Sequence, residues 1–96
     1  MQNISIRQLR SLVAIHETGK ISNAARGLRL TAPAVTLQLK QLEEELGQAL
    51  FDRTSAGMRP TAAGLVAIEA ARSILERLRV LSDEIGALDE VRSGTL

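Results

Sequence analysis

The sequence contains no cysteine and only one aromatic residue, Phe51. Disulfides and thiolate metal sites are therefore excluded. A core must be built from Leu, Ile, Val and Ala, which favours helices packed on helices over a β-sandwich. No apolar run approaches the length of a membrane span, and the N-terminus lacks the pattern of a signal peptide. The 96 residues allow one small domain with an appended element.

Residues suited to catalysis are scarce. The single histidine, His16, falls at the core edge of a predicted helix, and no pair of carboxylates lies in an apolar setting. Gly19-Lys20 lacks the upstream glycine that a phosphate-binding loop requires. We therefore expect a protein that is not an enzyme and that uses no cofactor and no metal ion.

Charge is distributed unevenly, although the net charge is only +1. Residues 1–60 contain eight basic and five acidic residues, whereas residues 61–96 contain four basic and six acidic ones. This asymmetry is typical of a module that meets phosphate at one end. The imbalance is too small to identify the partner by itself.

Two helices are predicted at the start of the chain. Ser5 and Gln8 fit a capping box for a helix over about 5–18. Ser22 is predicted to cap a short second helix over about 22–29. The residues expected to face the core are Ile6, Leu9, Leu12, Val13, Ala24, Ala25 and Leu28.

A third helix follows almost directly. Thr31 is its predicted N-cap, Pro33 falls in the first turn, and Gly47 ends it. The short connection to the second helix is typical of a helix-turn-helix, at about 21–40, with a recognition helix over about 32–45. The residues expected to be buried are Val35, Leu39, Leu42 and Leu46, while Glu43, Glu44 and Glu45 are expected to form a solvated face.

Residues 49–60 favour a small β-hairpin tipped by Ser55, Ala56 and Gly57, which in a helix-turn-helix protein is called a wing. Thr61 then caps a last helix that extends to about Val91. Its apolar residues recur at alternating steps of four and three, as in a heptad seam. The seam residues are Ala67, Ala71, Ile74, Leu78, Leu81, Ile85 and Leu88.

The last helix, of about 30 residues, would be ~45 Å long at about 1.5 Å per residue. The preceding domain of about 60 residues is too small to bury its whole seam. The expected partner of the seam is the same helix from a second chain, in an antiparallel or crossing arrangement. The alternative is that the seam folds back onto its own domain.

The segment from Ala24 to Gly47 closely resembles the LysR family of regulators. It has the Ala-Ala pair, the proline that begins the recognition helix and the Leu-Glu-x-x-Leu-Gly ending. Further matches are Leu50-Phe51-Asp52-Arg53, Arg59-Pro60-Thr61 and Ala63-Gly64. The resemblance covers residues 4–92.

The resemblance implies a mainly α, winged helix-turn-helix DNA-binding domain over 4–61. A linker or dimerisation helix over 62–92 and the start of a hinge at 93–96 would follow. The hinge would lead to an effector-binding domain that is absent from this chain and that binds a small molecule.

The function implied is that of a bacterial, cytoplasmic transcriptional regulator that acts on the nucleoid. Its partners would be double-stranded DNA and a second copy bound through the linker helix, with a tetramer in the full-length protein and no membrane. Recognition helices would enter the major grooves, and wings the minor grooves, of an interrupted palindromic operator.

By similarity, the family's base-reading positions fall on Ala32, Pro33, Thr36 and Leu37. Many members have Gln at the first of these positions and Arg at the last. The apolar residues here exclude bidentate hydrogen bonds to a base and leave contact with thymine methyl groups. We therefore expect weaker or more shape-driven recognition, with Pro33, Thr36 and Gln38 making more of the direct contact.

Arg53 is expected to place its guanidinium in a narrow minor groove. The other DNA contacts expected are Ser22, Thr31, Ala34, Lys40, Thr54, Ser55 and Thr61, with Arg7, Arg10 and Arg29 adding long-range attraction. Simpler interpretations stay open for these residues. In them, Ser22, Thr31 and Thr61 only cap helices, Lys40 is only a solvated charge, and Arg53 forms an ion pair with Asp52 or a neighbouring Glu.

Two rival functions share these patterns. In one, the heptad helix is the functional part of a protein-interaction module, and an apolar patch of Ala32, Pro33, Ala34 and Leu37 binds a protein. In the other, the chain is a winged-helix regulator of a different family. Salt dependence separates DNA binding from apolar contact, because only phosphate binding weakens steeply as salt rises.

Overall fold

The computed structural model describes residues 3–93 and, within them, the side chains of residues 3–89. The predicted winged helix-turn-helix architecture is confirmed. The elements are α1 (Ile6–Thr18), α2 (Ile21–Leu28), α3 (Ala32–Leu46), β1 (Phe51–Thr54), β2 (Gly57–Pro60) and α4 (Ala62–Ser93). The hinge predicted at 93–96 lies outside the described residues except for Ser93, the last residue of α4.

The capping box at the start of α1 is confirmed, since the Ser5 hydroxyl accepts the Gln8 N–H at 3.2 Å and the Gln8 side chain accepts the Ser5 N–H at 3.0 Å. The predicted buried stripe of α1 was partly wrong. Ile6 is exposed, whereas Ile15 and Ser11 are fully buried. The buried face is wide because α1 contacts α2, α3 and α4 at once.

The prediction that Ser22 caps α2 was wrong. The N-cap is Lys20, which makes no side-chain cap hydrogen bond, and Ser22 lies in the first turn of the helix. Gly19, in the left-handed region at φ 78°, ends α1, so the chain has already reversed direction before Ser22. The Thr18 hydroxyl lies 2.8 Å from the Ala14 carbonyl and 3.1 Å from the Lys20 carbonyl, and it shares its one proton between them across this tight connection.

The turn of the helix-turn-helix is tight as well. Arg29 ends α2 in the left-handed region at φ 58°, which a non-glycine residue rarely adopts. Thr31 then caps α3, accepting the Ala34 N–H at 3.2 Å, and Gly47 ends α3 at φ 69°. Both predicted ends of the recognition helix are confirmed.

The apolar core lies where α1 packs against α2, α3 and the first turns of α4. Its buried residues are Leu9, Leu12, Ile15, Ala24, Ala25, Val35, Leu39, Leu42, Leu50, Phe51, Ile68 and Ala71. No helix in the described part of the chain combines the length and apolar character needed to cross a membrane.

Leu50, the residue before β1, contacts both the C-terminal part of α3 and the N-cap of α4. Its side chain is fully buried, its N–H donates to the Glu43 carboxylate at 2.8 Å, and its carbonyl accepts the Thr61 N–H at 3.0 Å. Of the three residues predicted to form a solvated face, Glu43 is instead half-buried against this segment and Glu45 is half-buried too, while Glu44 is exposed. The Thr61 cap is confirmed, because its hydroxyl accepts the Gly64 N–H at 3.0 Å and donates to the Ala49 carbonyl at 2.7 Å.

Candidate nucleic-acid interface

The wing is a short antiparallel hairpin in which Thr54 pairs with Gly57. Its two-residue turn is Ser55 and Ala56, and Gly57 begins β2 rather than forming part of the tip. The Thr54 hydroxyl donates to the Gly57 carbonyl at 2.8 Å and accepts the Ala56 N–H at 3.2 Å. The predicted DNA contact at Thr54 therefore falls on a side chain that also holds the turn together.

A backbone contact fixes the wing against the helical domain. The Met58 N–H donates to the Gly19 carbonyl at 2.8 Å. Gly57 lies at φ 125°, and a Cβ on it would be 2.5 Å from the Gly19 oxygen. Only glycine permits this approach, which brings the wing beside the N-terminus of α2.

A cleft, which we call the wing cleft, opens between the wing, the start of α2 and the start of α3. It brings together six of the predicted DNA contacts with one residue that sequence analysis missed, Lys20. These seven lining residues are Lys20, Ser22, Ala32, Thr36, Arg53, Thr54 and Ser55. The sequence signal that could have identified Lys20 is a cation directly before α2, next to the helix-ending Gly19.

The wing cleft is suited to an anion. Lys20 and Arg53 are both exposed, and neither has an ion-pair partner among the residues described. Since no side chain caps α2, its first backbone N–H groups remain available to a phosphate oxygen. Two cations and a helix N-terminus thus border one cleft.

The exposed side chains in the first two turns of α3 are apolar. Leu37 is 57% exposed, and Ala32 and Pro33 are exposed beside it. Gln38 was predicted to make direct DNA contact, but it is half-buried and its side-chain oxygen accepts a hydrogen bond from the Ser11 hydroxyl. This bond competes with bidentate pairing to adenine, which uses the amide oxygen together with the amide nitrogen.

The remaining predicted contacts lie outside the wing cleft. Thr31 is exposed and caps α3, and Ala34 is half-buried behind it. Lys40 is exposed near Glu43 and Glu44, toward the C-terminal end of the helix. The hydroxyl of Thr61 is occupied as donor and acceptor at the start of α4.

A family model described as bacterial regulatory helix-turn-helix protein, lysR family, matches residues 6–65. The chain belongs to the LysR family. The HTH-type transcriptional regulator CbbR of Sinorhizobium medicae (strain WSM419) is 52% identical over 96 residues, which are 100% of this chain and 31% of that protein. The chain thus spans about a third of that relative.

Solved structures support the same fold. The crystal structure of the CbnR_DBD–DNA complex is 36% identical, with a TM-score of 0.82 over 88% of this chain and 98% of that one. The crystal structure of the BenM_DBD/catB site 1 DNA complex is 28% identical, with a TM-score of 0.85 over 88% of this chain and 94% of that one. Both contain DNA, and both are LysR-type winged helix-turn-helix domains.

The predicted seam of this LysR chain divides into two parts. Ala67 is half-buried and Ala71 fully buried against the chain's own core, so Ala71 is not free to contact a second chain as predicted. Leu78 is half-buried, while Ile74, Leu81, Ile85 and Leu88 are exposed. The fold-back alternative is wrong for residues 81–89, all of which are exposed.

An apolar groove continues the exposed seam toward the domain. It lies between the start of α4 and the C-terminal part of α3, and Val66, Ala70 and Ile74 form its α4 side. Leu46 and Leu9 lie on the opposite side. Ile74 therefore belongs to both surfaces.

Several charged residues of α4 form ion pairs within the helix. The Arg79 guanidinium contacts Glu76 at 2.7 Å and Asp83 at 2.6 Å, and it holds the pKa of the Glu76 carboxyl below its ordinary value. Arg77 contacts Glu84 at 3.1 Å. The Arg77–Glu84 pair lies beside the exposed apolar residues of α4, since each of the two directly precedes a seam residue.

Proposed function

We propose that this chain is the DNA-binding and dimerising part of a bacterial transcriptional regulator. α3 enters the major groove and the wing reaches the adjacent minor groove, so that the wing cleft between them holds the phosphate backbone. The observation that carries this proposal is the wing cleft, in which Lys20 and Arg53 flank the uncapped start of α2 and the exposed start of α3. The DNA in the CbnR_DBD and BenM_DBD structures supports the assignment.

The proposed organisation is a DNA-binding domain over 4–61 and a linker helix over 62–92. Because CbbR extends well beyond the matched region, the proposal for the whole regulator includes an effector-binding domain that takes a small molecule. A tetramer, action on the nucleoid in the cytoplasm and the absence of catalysis belong to the same proposal.

Dimerisation through α4 is supported by its exposed apolar residues. Leu81 is midway in the sequence between Ile74 and Leu88, so two antiparallel copies centred on Leu81 would place each Leu88 opposite the other chain's Ile74. That contact adjoins the apolar groove, because Ile74 also lines the groove. A second copy would thereby cover surface that the single chain leaves open.

The first test is a titration of this chain against three duplexes at two salt concentrations. The duplexes carry an interrupted AT-rich palindrome, one half of it, and a scrambled sequence. We expect binding that prefers the full palindrome and weakens steeply with salt, since each neutralised phosphate releases counterions. Binding to none of the duplexes by a folded dimer would favour a protein-interaction module instead.

A second test separates the two arginines of the wing. Arg53 lines the wing cleft, whereas Arg59 lies at the neighbouring ladder position, on the other face of the hairpin. We expect Arg53→Ala to weaken DNA binding about five- to thirty-fold and to lower the salt slope by about one. The matched control Arg59→Ala removes the same charge and should cost much less.

Equal losses in the two variants would mean that only the net charge of the wing matters. That result would contradict the assignment of the wing cleft as the phosphate site. Fluorescence anisotropy at four salt concentrations gives both the affinity and the slope.

A further inference from the structure

The side chains that α3 presents to a major groove lack an amide, a carboxylate or a guanidinium over the first two turns. Ala32, Pro33 and Leu37 are exposed, and Thr36 contributes one hydroxyl. Hydrogen-bond readout of a base needs donors and acceptors on the helix face, and the strongest pairs are bidentate. One hydroxyl cannot form such a pair.

The two glutamines of α3 that periodicity would place outward are held by α1. The Ser11 hydroxyl donates to the Gln38 side-chain oxygen, and the Gln8 amide donates to the Gln41 side-chain oxygen at 3.3 Å. Ser11 is fully buried, so freeing Gln38 would leave a buried hydroxyl without its partner. The first bond holds the Gln38 amide oxygen toward α1, whereas Gln41 stays exposed and its oxygen accepts the Gln8 amide about one turn further along the helix.

Leu37 is the large apolar side chain left on this face, at 57% exposure. In the major groove the matching apolar group is the C5 methyl of a pyrimidine, which thymine and 5-methylcytosine share. The hydrogen-bonding groups next to that methyl differ between these two bases, but a leucine side chain has no polar atom to distinguish them.

We infer that α3 selects its site through C5 methyl groups contacted by Leu37, so that 5-methylcytosine is accepted in place of thymine. This inference rests on the proposed DNA-binding function. At the base pair that Leu37 contacts, affinity would then depend on the C5 methyl group and not on the hydrogen-bonding pattern of the base. Methylation of a cytosine at that position would therefore create a better site.

The test uses the tightest duplex that this protein selects from a random-sequence library. Each thymine of one half-site is changed in turn to uracil, and the most sensitive T·A pair is then replaced by C·G and by 5-methyl-C·G. We expect uracil and cytosine to weaken binding about three- to five-fold, the value of one buried methyl group. We expect 5-methylcytosine to restore the affinity to within about two-fold of thymine.

Leu37→Ala should remove the preference for thymine over uracil, while the matched control Lys40→Ala should weaken binding to both duplexes equally. Thymine preferred over both cytosine and 5-methylcytosine, or a thymine preference that survives Leu37→Ala, would overturn the inference. Failure to select any duplex would overturn the proposed function instead, so the two failures are distinct.

Discussion

Gly64→Ala is expected to destabilise the domain severely. Alanine normally stabilises a helix relative to glycine by up to about 1 kcal/mol. Here a Cβ on Gly64 would lie 1.9 Å from the Leu50 carbonyl oxygen, and that oxygen also accepts the Thr61 N–H at 3.0 Å. Backbone cannot move aside as a flexible side chain does. We expect a loss of roughly 3 kcal/mol or more and a melting temperature lower by roughly 12 °C or more.

The matched control is Gly27→Ala. Gly27 also lies inside a helix, and a Cβ there would meet nothing within 4 Å. The same substitution should therefore raise the melting temperature by a few degrees, following helix propensity alone. Thermal unfolding followed by circular dichroism, at one protein concentration, compares the two. If Gly64→Ala also raised the melting temperature, the close approach of α4 to Leu50 would be disproved.

This contact also explains part of the family pattern. The Leu-Glu-x-x-Leu-Gly ending places Glu43 where its carboxylate accepts the Leu50 N–H. The Ala63-Gly64 pair leaves space for the Leu50 carbonyl. Residues that look unrelated in the sequence thus hold the same short segment from two sides.

The features predicted correctly are those whose determinants are local. The cap at Ser5, the cap at Thr31 and the left-handed ending at Gly47 each depend on residues within one helical turn. The heptad spacing likewise gave the length of α4 to within a few residues. Such patterns do not depend on which other element is nearby.

The surroundings that the sequence did not predict depend on contacts between distant parts of the chain. Gln38 was placed outward because Val35, Leu39 and Leu42 occupy the core side of α3, but a buried hydroxyl on α1 donates to its side chain. Lys20 was missed because it lies beside the wing only through the contact of Met58 with Gly19. Ala71 fits the heptad seam by spacing, yet it is buried in the core of its own domain, where α4 packs against α1. Periodicity identifies a helix face but not which neighbour covers it.

Leu81→Asp is expected to abolish dimerisation and, with it, most of the affinity for a palindrome. Leu81 is 53% exposed and belongs to no core contact of its own domain, so the monomer should stay folded. In an antiparallel pair centred on this residue, the two introduced carboxylates would face each other in an apolar seam. Burying a charge there is costly, and like charges repel.

The control for Leu81→Asp is Ser82→Asp, which adds the same charge at the next exposed position, off the seam. Sedimentation equilibrium should show a monomer for Leu81→Asp and a dimer for the control. Linking two half-site contacts multiplies affinity by about 10²–10⁴. The monomeric variant should therefore bind the full palindrome only as tightly as one half-site, a loss of about 100-fold or more, while the control keeps the preference. A monomer that still preferred the full palindrome would show that the two half-sites are linked by some surface other than α4.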